Sequence, residues 1–224
     1  MGGPFLFLDL DGTLIDVAPR YQRLHGDLVA AAGGQPLPAA EYWNLKRSRT
    51  SEREILVRTG ISAAAATEVA AERDLLLEDE AYLRLDQPWP WTGDVLTELG
   101  RLAPLVLITL RRNRDRALAQ FAALDLDRHF AHVLIGRSGG TAEAKASLAL
   151  EIDPDPHSVL VGDTEVDIAS GKALGFLTVA VASGLRDAEH LAAAGPDLLL
   201  DDLRQLPGRL TARGWPDEDR HRLA

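Results

Sequence analysis

Two acidic stretches, FLFLDLDGTLID at residues 5–16 and VGDTEVD at 161–167, set carboxylates directly after apolar runs. Asp9 and Asp11 close the first run, and Asp163 closes the second with Asp167 four residues on. Like charges crowded into a partly desolvated crevice repel, and each takes up a proton unless a cation compensates. An oxygen-only donor set suits a hard cation, and few protein ligands plus expected waters favour magnesium over calcium. Such a cation can hold a phosphoryl group and shield the charge that repels an anionic nucleophile. On this reading Asp9 attacks phosphorus. Asp11, provided its environment raises its pKa, protonates the leaving oxygen and later activates water. Gly12 frees the backbone to turn sharply, so that N–H groups around Leu10 and Gly12 can meet phosphate oxygens. Thr109, with Leu110 beside it, offers a hydroxyl at another strand end, and Lys145 offers a cation that balances both aspartates and phosphate.

The elements that must position these residues are readable from apolar runs. FLFLDL (5–10), PLVLIT (104–109), AHVLIG (131–136), HSVLVG (157–162), LTVAVA (177–182) and DLLLD (197–201) read as strands buried on both faces. Segments 114–124, 142–151, 165–174 and 187–194 carry helical spacing between them. The alternation predicts an α/β fold, a doubly wound parallel sheet with helices on both faces. Ligands of such sheets gather at the carboxyl ends of the strands, where the candidate residues fall. The rhythm fails between residues 17 and 90, where helical patterns at 19–32, 39–48, 51–59 and 62–85 predict an inserted α-helical cap domain. The expected organisation is a core of 1–16 and 91–213, a cap of 17–90 returning through DQPWPWTG (86–93), and a frayed polar tail of 214–224.

The chain has 224 residues, 46% hydrophobic and 26% charged, with a formal net charge of −10. That acidity disfavours nucleic-acid binding, which needs clustered Lys and Arg, but leaves room for a small phosphate ligand. No apolar stretch is long enough to predict a membrane span, no basic region precedes the first apolar run, and cysteine is absent. A cytoplasmic location is the expectation, with a small phosphorylated substrate, no membrane partner, and a monomer or homodimer. Only three lysines occur, Lys46, Lys145 and Lys172, and Lys172 falls late in a helix as a solvated charge.

The motifs resemble those of the haloacid dehalogenase-like (HAD) hydrolases, in particular the magnesium-dependent phosphatases of the phosphoglycolate phosphatase and β-phosphoglucomutase type. DLDGT at 9–13 is similar to the first motif, Thr109 ending LVLIT to the second, Lys145 to the third and GDTEVD at 162–167 to the fourth. The resemblance spans residues 5 to about 206 and implies a Rossmannoid core with a helical cap. It implies Mg2+ held by the side chains of Asp9 and Asp163 and the backbone carbonyl of Asp11, with Asp163 and Asp167 at the metal-holding positions. Two departures stand out: Ala146 follows Lys145 where proline is common, and Leu110, Arg111 and Arg112 follow Thr109 where a small polar residue or Asn is frequent.

In the predicted cap, NLKRSRTSERE at 44–54 puts Lys46 and Arg47 where a cap loop would read the leaving group, and both are candidate substrate contacts. Tyr21, His25 and Trp43 are candidate lining residues of the same cleft, and Trp89 and Trp91 are expected to pack the hinge. Asp16, beyond the turn, reads as a local hydrogen-bonding residue. The leading expectation is a phosphatase working through an aspartyl-phosphate at Asp9. Rival readings are a phosphomutase, a 2-haloacid dehalogenase, in which Asp11 would have no leaving group to protonate, and a non-catalytic phospho-aspartate regulatory module.

Overall fold

The computed structural model describes residues 3–137 and 141–216. Six parallel strands form one sheet: β1 (Leu6–Leu8), β4 (Leu105–Leu110), β5 (His132–Gly136), β6 (Val159–Gly162), β7 (Leu177–Val181) and β8 (Leu198–Leu200). Their spatial order is β5-β4-β1-β6-β7-β8. The chain thus runs outward from β1 in both directions, pairing Leu6 with Leu105 on one side and with Val159 on the other. Such a reversal opens a crevice at the carboxyl ends of the central strands.

Both faces of the sheet are covered, which is why its strands are continuously apolar. Leu6 and Leu8 point into one cluster with Leu96, Leu99, Leu107 and Val161, whereas Phe7 points into another with Val106, Ile108, Leu160 and Phe176. Six helices complete the described core: α6 (Thr92–Leu99), α7 (Arg114–Ala123), α8 (Ala142–Ala149), α9 (Glu165–Leu174), α10 (Ala188–Ala194) and α11 (Leu206–Ala212).

Between β1 and α6 the chain forms α1 (Ala18–Ala31), α2 (Ala39–Arg47), α3 (Glu52–Arg58), α4 (Ala63–Leu76) and α5 (Glu80–Leu83). These helices share an apolar cluster of their own, built on Leu24, Leu28, Val29, Leu56 and Ile61. Ser51 and Glu54 start α3 with a reciprocal capping box, and Ser62 caps α4. The single helical pattern at 62–85 is in fact two helices, because Leu77–Asp79 breaks it and Asp79 caps α5 through Ala81 N–H. The way in and the way out are tied by a short antiparallel ribbon, β2 (Ile15–Asp16) with β3 (Gln87–Pro88), so the return segment contains a strand that its prolines hide. Thr92 Oγ1 donates to Leu14 O at 2.8 Å, and Trp89 stacks on Trp91 beside the ribbon.

The start of the expected polar tail is packed rather than frayed: Trp215 is buried and its Nε1 donates to His157 O at 2.8 Å. The rest of that tail, 217–224, lies outside the described residues. No described helix is long and apolar enough to cross a membrane. Phe7, fully buried and stacked on Phe176 with ring centroids 5.5 Å apart, anchors the second face. Phe7→Ala should therefore lower the free energy of unfolding by about 3–5 kcal/mol, read by urea titration.

Candidate active site

Strand β1 ends at Leu8, and the next residues turn at the crevice. Gly12 adopts φ +76°, and a Cβ there would lie 2.1 Å from Asp163 Oδ2. Glycine is required at this position for conformation and for space. A Cβ on Gly162 would likewise meet the Asp167 carboxyl carbon at 2.1 Å. These two glycines let the acids from β1 and β6 converge.

One carboxylate oxygen each of Asp9, Asp163 and Asp167 lies within 4.8 Å of the others, all buried. Lys145, on the first turn of α8 and 3% exposed, places Nζ 2.6 Å from Asp9 Oδ1 and 2.5 Å from Asp167 Oδ1. Asp167 Oδ2 accepts from Thr164 N–H and Oγ1–H, so both of its oxygens are engaged. Asp163 Oδ2 accepts from Leu185 N–H, but its Oδ1 is buried with no partner. Three carboxylates around one ammonium leave two negative charges when all are ionised. Burial, aided by the neighbouring carboxylates, pushes Asp163 well above the usual range. Burial likewise raises Asp9 to about 7, Lys145 offsetting only part of that rise. For Lys145 itself burial acts downward, but Asp167 and Asp9 outweigh it and hold its pKa above the usual lysine value. A divalent cation fits this donor set: it would neutralise the excess charge and occupy the orphaned Asp163 oxygen.

Asp11 stands apart from that triad. Its Oδ1 accepts from Arg111 Nη2 at 2.5 Å, and Arg20 Nη2 lies 3.1 Å from its Oδ2. Burial pushes its pKa up, but Arg111 and Arg20 together outweigh burial and bring it below the usual value. The condition set for its acid role, a raised pKa, is not met in this arrangement, because residues 100 positions downstream and nine positions downstream supply two guanidiniums.

Asp9, Asp11, Thr109, Leu110, Lys145, Asp163 and Asp167 all line one cavity of about 220 Å³. Leu10 does not; its side chain is buried in the core and only its backbone faces the turn. The helices over the crevice contribute Arg20, Tyr21, Leu77 and Glu78 to the walls. Glu78 receives Arg112 N–H and Asn113 N–H, at 2.9 and 3.0 Å, joining the α4–α5 turn to the loop after β4.

Lys46 and Arg47 are not among the lining residues. Lys46 lies 3.5 Å from Glu52 within the helical layer, and burial, with Arg73 nearby, lowers its pKa to about 8. Arg47 Nη2 donates to Ala182 O and Arg186 O, which spends its charge on tying α2 to the core. Of the aromatic candidates Tyr21 lines the cavity, while His25 stacks under Tyr42 and Trp43 packs edge-on against Tyr21. Asp16 Oδ1 accepts Ala18 N–H at the start of α1, and Lys172 donates to Ala194 O at the end of α10, away from the crevice. Arg20, Glu78 and Arg111 are the functional candidates that motif reading misses. Arg111 had a visible signal, the Arg-Arg pair after Thr109, whereas Arg20 and Glu78 read as ordinary helix charges.

A model of the haloacid dehalogenase-like hydrolase family matches residues 5–175. A phosphoglycolate phosphatase of Rhodobacter capsulatus is 27% identical over 217 residues, covering 95% of this chain and 98% of that protein. One from Mesorhizobium japonicum is 26% identical over 228 residues, covering 95% and 97% respectively. Among solved structures, a haloacid dehalogenase-like family hydrolase from Streptococcus pneumoniae superposes with a TM-score of 0.74 at 19% identity, over 92% of this chain and 98% of that one.

The proton balance of the triad gives a test. Burial pushes Asp9 up to about 7 when folded, whereas in the unfolded chain it titrates in the ordinary carboxylate range near 3.8. The folded state therefore binds more protons in that window, and Asp9 takes stability away as pH rises from about 4 to about 7. A bound cation competes with those protons, so added Mg2+ should raise Tm more at pH 8 than at pH 5, as read by scanning calorimetry. Asp163→Asn should shrink the pH 8 increment; an equal increment at both pH values would contradict the assignment.

Proposed function

Because the chain belongs to the haloacid dehalogenase-like hydrolases, we propose that it is a phosphatase acting on a small phosphorylated metabolite, phosphoglycolate-like or sugar-phosphate-like, through an aspartyl-phosphate at Asp9. The observation that carries this reading is the buried triad of Asp9, Asp163 and Asp167, with Lys145 paired to two of its members, which cannot be fully ionised without a further cation. The names of the relatives, both phosphoglycolate phosphatases, support the substrate class.

Asp9 and Asp163 would hold Mg2+ through side chains and Asp11 through its backbone carbonyl, and the ion would supply charge neutralisation at the transferring phosphoryl group. Lys145 keeps Asp9 oriented at 2.6 Å and leaves the other Asp9 oxygen available for attack. Asp167 locks Lys145 in place while its second oxygen caps α9, so it acts as a support for the nucleophile as much as a ligand. Thr109 and the backbone at Leu110, both on the cavity wall, would offer donors to the phosphoryl oxygens, whereas Gly12 N–H is given to Ile15 O. Asp11 serves as acid and base once it leaves the arginines that hold it here. Tyr21, Leu77 and Glu78 cover the crevice and limit water at the reacting atoms.

The experiment is hydrolysis of p-nitrophenyl phosphate and of a phosphometabolite panel with Mg2+ and with chelator. Wild type should turn over only with the metal, and Asp9→Asn should lower kcat by at least about 10³-fold with its fold intact. Wild-type turnover by Asp9→Asn would overturn the mechanism.

A further inference from the structure

The arginines on Asp11 belong to a closed ring. Arg20, on the first turn of α1, lies 3.1 Å from Asp11 and 3.2 Å from Asp86. Gln120, on α7, donates to Asp86 Oδ2 at 2.7 Å and accepts from Arg111 Nη2 at 3.1 Å. Arg111 returns to Asp11. Asp11, Arg20, Asp86, Gln120 and Arg111 thus join the turn after β1, the first helix above the crevice, the return segment, α7 and the end of β4. Each side chain except Asp11 is at least nine-tenths buried.

The guanidiniums in this ring are under-used as donors. Arg20 Nε and Nη2 sit within ion-pair range of carboxylates but are not aligned for hydrogen bonds, and its one aligned bond is to Leu77 O at 3.4 Å. Arg111 Nε is also buried without a partner. Arg20 is matched in charge by Asp11 and Asp86, but Arg111 Nε is a buried charged donor with no partner, which is costly unless an acceptor reaches it. Charge balance points the same way. Burial raises Asp86 to about 7 despite Arg20, so near neutral pH the ring is short of negative charge. Both arginines wall the same cavity as Thr109 and the triad.

Asp11 cannot at once serve the leaving oxygen and fill both guanidiniums. When it turns to the ester, the arginines lose their one carboxylate on the cavity side. Whatever replaces it must be attached close to the leaving oxygen. We propose that Arg20 and Arg111 together recognise a substrate carboxylate carried on the carbon that bears the ester oxygen, which makes the preferred substrate a 2-phosphorylated short-chain carboxylic acid. Planar guanidiniums from two different elements suit a carboxylate and exclude neutral esters of the same size. This deepens the phosphatase reading and rests on it.

The test compares kcat/KM for 2-phosphoglycolate and for ethyl phosphate, which has the same ester and no carboxylate. Wild type should prefer phosphoglycolate by about 100-fold or more, and Arg111→Gln should cut that preference at least about tenfold, mainly through KM for phosphoglycolate. Arg20→Gln should do the same, and Arg111→Lys, which keeps charge but loses the fork, should fall between. A wild type indifferent to the carboxylate overturns the proposal without needing any variant to fold. So does a preference that survives both Arg→Gln changes, since a purely positioning role through Asp11 lowers kcat for both esters alike. Absence of wild-type hydrolysis of every monoester would sink the phosphatase reading itself, and this one with it.

Discussion

Three buried carboxylates gathered beside one buried ammonium, which pairs with only two of them, are the constraint around which this protein is arranged. Such a cluster is unfavourable on its own terms, and the surroundings are built to tolerate it. The order of strand addition reverses at β1, so Asp9 and Asp163 follow adjacent strands. Glycines at 12 and 162 remove the side chains that would keep the carboxylates apart. Lys145 is pinned from two sides, and Asp167 doubles as the capping-box partner of Thr164, the N-cap of α9. What remains is a deficit of positive charge that fits a divalent cation.

A second principle separates the two aspartates of the first motif. Asp9 sits among carboxylates and is pushed up; Asp11, two residues away, sits between guanidiniums and is brought down. In this arrangement the shifts run against the proposed roles, so Asp9 needs a cation beside it to ionise as nucleophile and Asp11 must leave the guanidiniums to carry a proton as acid. Here the separation depends on side chains from both layers, since Arg20 comes from α1 and Arg111 from the end of β4. The arrangement of the helical layer over the crevice therefore bears on the chemistry directly, and Arg47, anchored on Ala182 and Arg186 carbonyls, helps to hold that arrangement.

The sheet was legible because its central strands are covered on both faces and so leave uninterrupted apolar runs; Leu6, Phe7 and Leu8 illustrate this, facing alternate cores. The ribbon of Ile15–Asp16 with Gln87–Pro88 was not, since two-residue strands carry no periodicity. The break between α4 and α5 lacks Gly or Pro, and α6 follows directly on a Pro/Trp segment that reads as linker. The acids of the site were readable because DxDGT and GDxxxD are local patterns. The ring around Asp11 was not, because its members are single polar residues whose meaning lies in contacts as distant as Asp11 with Arg111. Lys46 and Arg47 misled for the converse reason: the cluster is visible in sequence, but Glu52 and the backbone carbonyls that absorb it are not marked by any motif.

The central claim, that Asp9 is the nucleophile of this charge-poised cluster, is tested most directly by trapping. Wild-type protein mixed with Mg2+ and excess phosphate ester, quenched in acid within a turnover and mapped by mass spectrometry, should carry one phosphoryl group on the peptide containing Asp9. In H2(18)O the released phosphate should contain solvent oxygen, while the alcohol product retains its ester oxygen. A phosphoryl group on a different residue, or active turnover with no trappable phosphoryl group and solvent oxygen entering the alcohol product, would contradict the account.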